Sequence, residues 1–597
     1  MRFFRWIGIA SLGLAISWQA ASATINQPQA VHTTITVNTL VDDFTANNGT
    51  CSLREAIQAA NTDLAVDACP AGSASDTIQL AAGSYQLSLT GAESPQTGDL
   101  DLNGTIQVTG VTSATSIINA NDIDRALEIT GGNVSLRNLQ VRNGFHTGPA
   151  NEFDTYGHGI LHQAGSLTID SSMITTNGYI TSSTGVATSF FGGGIASLTG
   201  YLTITNSLVE NNYVSAEAMG NSGIGGGLYI DASTVQISNS SFRHSSAGTG
   251  AAIYNDAGQL TIVNSTIGRH FNNGEFSGSI STNTGQTLVN DTQFVNNQPR
   301  AMWISSGSAT VTDSVFNGNG GNGSFYCSQG GAISSSGRLS VSNSRFLNNW
   351  ANEGGAIAVV TGTASIDHSE FSGNDAREFT AGREICIGDG GTISTGQHGQ
   401  VLLDSSTLAY NHADGFAAGI FHSTNPNPLI ISNSTIVSNT NSLLNPEDGS
   451  IVEFDGPGIS ALNNSTVQLS NTILAGNRND ASNVARDCSG LFSSQGHVLI
   501  EHADAVCNLT QATGDLIGVQ PELGSFDFHA GVTRSFSLNP TSPTIDAGPS
   551  ACGATDQRYF PRPVDGDNDD QARCDIGAFE FGSAAIQYPI YIPMTIR

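Results

Sequence analysis

The sequence predicts an all-β chain wound as a right-handed parallel β-helix, with a short N-terminal capping helix and a disulfide-bonded C-terminal cap. Three observations carry this expectation. One phrase returns along the chain: "LTITNSLVENN" (202–212) recurs as "VQISNSSFRHS" (235–245), "LTIVNSTIGRH" (260–270), "LSVSNSRFLNN" (339–349), "LIISNSTIVSN" (429–439) and "VQLSNTILAGN" (467–477). A second phrase lies between the copies, as in "GGGIAS" (192–197), "GGGLYI" (225–230), "GGAISS" (330–335) and "GGAIAV" (354–359). Finally, 69 glycines and only 12% charged residues suit short strands joined by turns and exclude an assembly of amphipathic helices.

Within each unit apolar residues alternate, as at Leu202/Ile204 and Leu339/Val341, which is the period of a half-buried strand. No unit can bury its apolar face alone, so the units must stack, and parallel connections favour the right-handed coil. A small polar residue marks each unit: Asn138, Ser171, Asn206, Asn239, Asn264, Asp291, Asp313, Asn343, His368, Ser405, Asn433 and Asn471, at intervals of 22 to 38 residues. Twelve coils predict a rod of about 55–60 Å. The markers should lie in register along one edge, with their asparagine amides stacked as a ladder. The glycines of the second phrase should turn a tight corner at positive φ.

The elements follow in order. Residues 1–23 read as a signal peptide: Arg2 and Arg5, the apolar "WIGIASLGLAIS", then Ala21-Ser22-Ala23 as cleavage site. Residues 24–85 form an N-terminal cap. There, Ser52 and Glu55 make a capping box, and Leu53, Ala56, Ile57 and Ala60 make one apolar helical face. Repeats occupy 86–480, a C-terminal domain 481–582 and a tail 583–597. Eight cysteines in an exported chain favour disulfides: Cys51 with Cys69, Cys488 with Cys507, Cys552 with Cys574, and Cys327 with Cys386 across a longer loop. Each short loop restricts the unfolded chain by roughly 3 kcal/mol.

All 20 basic residues are arginine, set against 50 acids, for a net charge of −30. Such a surface repels nucleic acid and anionic lipid, and no run of the mature chain is long enough to cross a membrane as a helix.

"TVNTLVDDFTANNGTCSLREAIQAANTDLAVDACP" (36–70) resembles the CSLREA N-terminal domain of exported bacterial proteins. "DCSGLFSSQGHVLI", "GDLIGVQPELG", "SPTIDAG", "DQRYFPRPVDGDNDD" and "CDIGAFE" resemble, in that order, the choice-of-anchor Q domain. Phe294/Asn297, Phe316/Asn319, Phe346/Asn349 and Phe371/Asn374, with "GGAI" at 330–333 and 354–357, resemble the repeats of polymorphic membrane proteins. These resemblances imply a secreted, surface-associated β-helix and establish no enzymatic role. Two departures stand out. Tyr559 occupies the position where "DQRG" has glycine, and no barrel-length run of alternating strands follows the repeats, which argues against autotransport.

Parallel β-helices of the pectin-lyase-like kind include polysaccharide lyases and glycoside hydrolases, so the enzyme alternative needs paired acids on neighbouring strands. Within the repeats acids are scattered, and no catalytic residue is assigned. His146, Glu152, Asp154, His158 and His162 form the densest local cluster, with His158 where other coils carry glycine. Asp565, Asp567 and Asp569 alternate inside a disulfide loop and are candidate ligands of a structural Ca²⁺. Nearby, Asp546, Asp556, Arg558, Arg562, Asp575 and Glu580 are expected to pair as a polar network that fixes the cap. The function expected is adhesion or extracellular-matrix contact, with a surface glycan, matrix or another cell as partner, through a repetitive Ser/Thr/Asn surface.

Overall fold

The computed structural model describes residues 32–91, 94–145, 155–181, 190–216, 223–272, 277–321, 327–381, 384–443 and 456–584. It is a parallel β-helix, the class that the repeats predict. Each coil runs through a five-residue strand such as Tyr201–Thr205, a turn, a strand such as Leu208–Glu210, a wider turn and a strand such as Leu228–Ile230. Stacking these gives three sheets. The first has seventeen strands from His32–Thr36 to Cys507–Thr510, the second sixteen, and the third thirteen from Leu100–Leu102 to Ile459–Leu462. Strand Cys488–Ser494 pairs with both the first and third, so these two count together as thirty.

Seventeen strands make sixteen spacings of about 4.8 Å, a rod of about 77 Å. It exceeds the twelve-coil expectation because coils at both ends lack the marker phrase. Parallel pairing also continues beyond 480, through Leu516–Ile517.

The register is unbroken. Leu202, Val235 and Leu260 stack in the first sheet, with Ile204, Ile237 and Ile262 beside them, all fully inside the core. In the second sheet Phe294, Phe316, Phe346 and Phe371 stack face to face, with centroids 4.4, 4.8 and 4.6 Å apart. At the corner before the third sheet Gly330 has φ +66°, and a Cβ there would meet the Ile333 carbonyl oxygen at 2.0 Å.

All twelve markers follow the first sheet in register, and all adopt positive φ, between 43° and 52°. The expected ladder of marker amides is not formed as such. A left-handed turn aims its side chain outward, and Asn206, Asn239 and Asn264 are exposed; only isolated pairs such as Asn264–Asn239 (2.7 Å) and Asn471–Asn433 (3.0 Å) link them. The buried amide ladder lies six residues later, at Asn177, Asn212, Asn297, Asn319, Asn349, Asn374, Asn411, Asn439 and Asn477. Where asparagine follows asparagine, Oδ1 accepts the backbone N–H and the amide N–H of the preceding coil, as Asn349 does from Asn319 at 3.0 and 2.9 Å; Asn177 and Asn297 accept only the backbone N–H of Gly144 and His270. Ser245 and His270 fill two rungs, and Asp487, which needs only to accept, ends the series. The residue after each marker forms a second ladder of hydroxyls, with Ser172 N–H donating to Ser207 and Ser207 N–H to Ser240.

Helix Leu53–Thr62 closes the N-terminal end with the expected capping box. Arg54 lies buried on it, held by Asp42 (2.8 Å) and the carbonyls of Gly98 and Asp99 (both 2.9 Å). Disulfides join the four expected cysteine pairs. The C-terminal segment is not a plug over the last coil. It folds back along the outer face of the second sheet, where Phe536 and Ile576 pack on Ala409, Val437 and Ile473. Glu370 is fully buried there between Arg534 (2.7 Å) and Arg345 (2.9 Å), and Gln557 accepts from Thr407 (2.6 Å).

Candidate functional site

The three sheets present three different surfaces. Outward residues of the first sheet are mostly small and polar: Thr168, Thr203, Gln236, Thr261, Leu288, Thr310, Ser340 and Ser365 follow one another at coil spacing. Gln236, Leu288, Thr310 and Ser365 are exposed, so this face is open. The second sheet is covered by the C-terminal domain from Arg345 onward. Ahead of that cover a polar groove runs past Ser171, Asn206, Asn239 and Asn264.

The third sheet is different in kind. Its central outward positions read Leu161, Ala196, Tyr229, Tyr254, Ser281, Trp303, Ser334, Ala358, Ser394, Phe421 and Ser460 in unbroken register. Tyr229 and Tyr254 stack at 5.9 Å, while Phe191 lies 4.9 Å from Tyr229 and 4.6 Å from Tyr156. Asp231 and Asp256 stand on adjacent coils beside these rings. Burial and the Asp256 charge hold the Asp231 carboxyl above its usual range, and burial with the same charge pushes the Tyr254 phenol to about 12. Farther along, small Ala358 and Ser394 leave a depression of about 190 Å³ walled by Phe421, Thr424, Gln329 and Glu353. The Gln329 amide donates to Glu353 at 2.8 Å.

At the N-terminal end of this face Asp101 lies directly opposite Glu128. Arg125 bridges Glu128 (2.9 Å) and the buried Asp99 (2.8 Å), and the Gln163 amide donates to Glu128. Burial, then the charges of Asp99 and Glu128, push Asp101 up to about 7. Asp99, Asp101 and Glu128 are close enough to share a cation, but Arg125 already supplies positive charge to that group.

Of the densest sequence cluster, His146, Glu152 and Asp154 lie outside the described residues. His158 occupies a corner position where later coils have Gly193, Gly226 and Ala251, and its ring packs between Phe145 and Phe190. His162 is a core residue: Nδ1 meets the Ser197 hydroxyl at 2.9 Å, Ser197 donates to Ser233, and burial lowers its pKa to about 4.

Asp565 and Asp567 converge with Asp546 rather than with Asp569. Asp569 instead accepts from the Gln571 N–H at 2.8 Å. Sequence distance hid Asp546, which lies on the far side of the Cys552–Cys574 loop. The expected polar network is formed: Arg558 pairs with Asp556 and lies 3.6 Å over Phe579, and Arg562 faces Glu580 at 3.3 Å. Burial and Glu580 push Asp575 to about 8. Tyr559 takes positive φ (63°) at the departure from "DQRG" and stacks on His368 at 4.1 Å and 3°.

The fold thus defines a parallel β-helical solenoid with one flank domain. No family model matches the chain. Over 212 residues it is 28% identical to a protein described as the probable autotransporter YfaL of Escherichia coli (strain K12), a stretch covering 31% of this chain and 16% of that protein. Among solved structures, it is similar to a mannuronic acid specific polysaccharide family 6 lyase from human gut microbiota. That match has 11% identity and a TM-score of 0.25, over 73% of this chain and 85% of that one. Among the described residues no helix is long and apolar enough to cross a membrane.

Proposed function

We propose that this chain is an exported, cell-surface-associated β-helix of the CSLREA and choice-of-anchor Q type, and that it makes adhesive contact with matrix or glycan. The observation that carries the reading is the first-sheet face, where Thr203, Gln236 and Thr261 repeat at coil spacing and Thr310 follows one coil past Leu288, with Gln236 and Thr310 exposed among the described residues. A flat array of hydroxyls and amides offers many weak hydrogen bonds to an extended polymer, and repetition multiplies them. Four disulfides suit an oxidising compartment. Beads coated with the protein should adhere to extracted matrix. Replacing Thr203, Gln236 and Thr261 together by glutamate should abolish adhesion without changing the circular dichroism; unchanged adhesion refutes the reading.

The polysaccharide-processing alternative rests on Asp101 facing Glu128. A screen for new reducing ends and unsaturated products, repeated with Asp101→Asn, tests it. We further propose that Asp546, Asp565 and Asp567 take a structural Ca²⁺ in the flank domain.

A further inference from the structure

We propose that Ser442, His412 and Asp375 act as nucleophile, base and orienting acid in the hydrolysis of a carboxylic ester at the surface of the rod. The inference concerns coils that neither the adhesive face nor the Asp101–Glu128 pair uses, so it stands or falls separately from both readings.

The first argument is geometric. At the wide turn between the second and third sheets, two-residue strands form a further six-stranded sheet. Three of its strands are Asp375–Ala376, His412–Ala413 and Thr440–Asn441, with Asp375 opposite His412 and His412 opposite Thr440. His412 Nδ1 lies 3.0 Å from Asp375 Oδ1, and Nε2 lies 3.0 Å from the hydroxyl of Ser442, two residues past Thr440. Arg377 donates to the other Asp375 oxygen at 2.6 Å, and its guanidinium lies 4.7 Å over the Trp350 ring, which fixes the orientation of the carboxylate. The backbone is held as well. Asn374, Asn411 and Asn439 of the buried ladder precede the three strands, and the Ser442 N–H donates to the Ala413 carbonyl. Three successive coils thus supply one member each. His368 has a similar pair in Asp367 and Thr555, but that hydroxyl is 3.4 Å away and Tyr559 stacks on the ring.

The second argument is chemical. An ionised Asp375 can only accept, so Nδ1 of the neutral ring carries the proton and the Nε2 lone pair faces the Ser442 hydroxyl. Burial opposes that ionisation, but hydrogen bonds from His412 and Arg377 outweigh it and hold the Asp375 carboxyl below its usual range. The hydrogen bond to Asp375 holds His412 above its usual range against burial, helped by the charges of Asp375, Asp414 and Asp480. The neighbouring arginines are engaged by acids, Arg377 by Asp375 and Arg478 by Asp480. Asp375, His412 and Ser442 are all half-buried. The relay is therefore reachable from solvent, and truncating the Ser442 hydroxyl would strand no buried group.

In the reaction Ser442 Oγ bonds to the ester carbonyl carbon while its proton passes to His412 Nε2. The bond from that carbon to the alcohol oxygen then breaks, and the alcohol leaves with the proton. Water adds to the acyl-serine, giving a proton to Nε2, and the carboxylic acid departs as Ser442 recovers that proton. The Leu443 N–H follows the nucleophile directly and donates to no group among the described residues, which leaves it for the oxyanion. An ester fits this site better than an amide, because an open surface supplies little binding energy and an alcohol leaves more readily than an amine.

The test uses the full chain, with p-nitrophenyl acetate and p-nitrophenyl butyrate as substrates and a fluorophosphonate as covalent probe. The probe should add to Ser442, as located by peptide mass mapping. Ser442→Ala should lose the label and at least about a hundredfold in hydrolysis rate, with its circular dichroism unchanged. Asp375→Asn tests the orienting role. There kcat should fall with KM held, and the midpoint of the kcat/KM profile should move to lower pH, because a neutral amide no longer favours the imidazolium. The matching p-nitroanilides should not be cleaved, and their cleavage would defeat the ester assignment. An unlabelled Ser442 in the native parent overturns the proposal whether or not the variants fold. So does the absence of turnover of both esters, or hydrolysis that survives Ser442→Ala. An unmoved midpoint in Asp375→Asn would show that His412 is not the base, with the same consequence.

Discussion

Replacing Asn349 by alanine tests the element that holds the coils together. Its side chain is fully buried and makes four hydrogen bonds: Oδ1 accepts the backbone and amide N–H of Asn319, and Nδ2 donates to the Phe316 carbonyl (3.0 Å) and to Asn374 Oδ1 (3.0 Å). Asn374 Oδ1 keeps the Asn349 backbone N–H after the substitution, at 3.1 Å. The two donors of Asn319 then lose their acceptor inside the buried core. At about 1–3 kcal/mol for each unsatisfied buried donor, the expected loss is about 3–5 kcal/mol. Asn317→Ala, on the preceding coil two residues before Asn319 and exposed, loses one bond from Asn348 and should change stability by only about 0.5 kcal/mol. Urea titration followed by circular dichroism measures the difference in midpoint. Hydrogen exchange at the amides of Asn319 and Asn349 locates it, since a solenoid can open locally. Equal effects of the two substitutions would refute the claim that the ladder clamps adjacent coils.

Three more expectations follow from the geometry. Tyr559 sits at positive φ and stacks on His368; Tyr559→Ala loses the stack and keeps the strain, so thermal melting should place it about 1 kcal/mol below Tyr559→Gly. His270 is buried, with its pKa lowered to about 4 from 6.5. Between those values the unfolded chain binds a proton that the folded chain refuses, so stability falls with decreasing pH by about 3 kcal/mol in total. Asp101 and Asp575, raised to about 7 and about 8, act in the opposite sense and lose stability as pH rises towards those values. His270→Asn should therefore gain on the parent as the pH drops from 7 to 4, read as the difference between two denaturation series, and a pH-independent difference would contradict the assignment. Chelation should lower the melting transition of the flank domain, by about 2.7 kcal/mol if Ca²⁺ had been present at 100 times its Kd. Asp546→Asn should remove that response; an unmoved melting curve would leave the acidic turn as a solvated loop.

Local chemistry determined the helix and its ends. Alternating apolar anchors require a half-buried strand, a stack of such strands requires neighbours, the Ser52–Glu55 box acts over three residues, and three of the four cysteine pairs close loops of 18 to 22 residues. The glycine corners were legible for the same reason, because glycine takes positive φ without a Cβ clash, whereas the left-handed turns at the markers emerged only in the structure. What the sequence could not order was anything set by distance through space. Marker asparagines and ladder asparagines look alike in the chain, and only coil geometry decides that the sixth residue after each marker points inward while the marker points out. Docking of the flank domain depends on Glu370 meeting Arg534, 164 residues away, and on Tyr559 meeting His368. The aromatic row of the third sheet is spread over single residues on separate coils. No window of sequence contains it, and it exists only because parallel pairing with an unbroken register brings Tyr229, Tyr254, Trp303 and Phe421 onto one line.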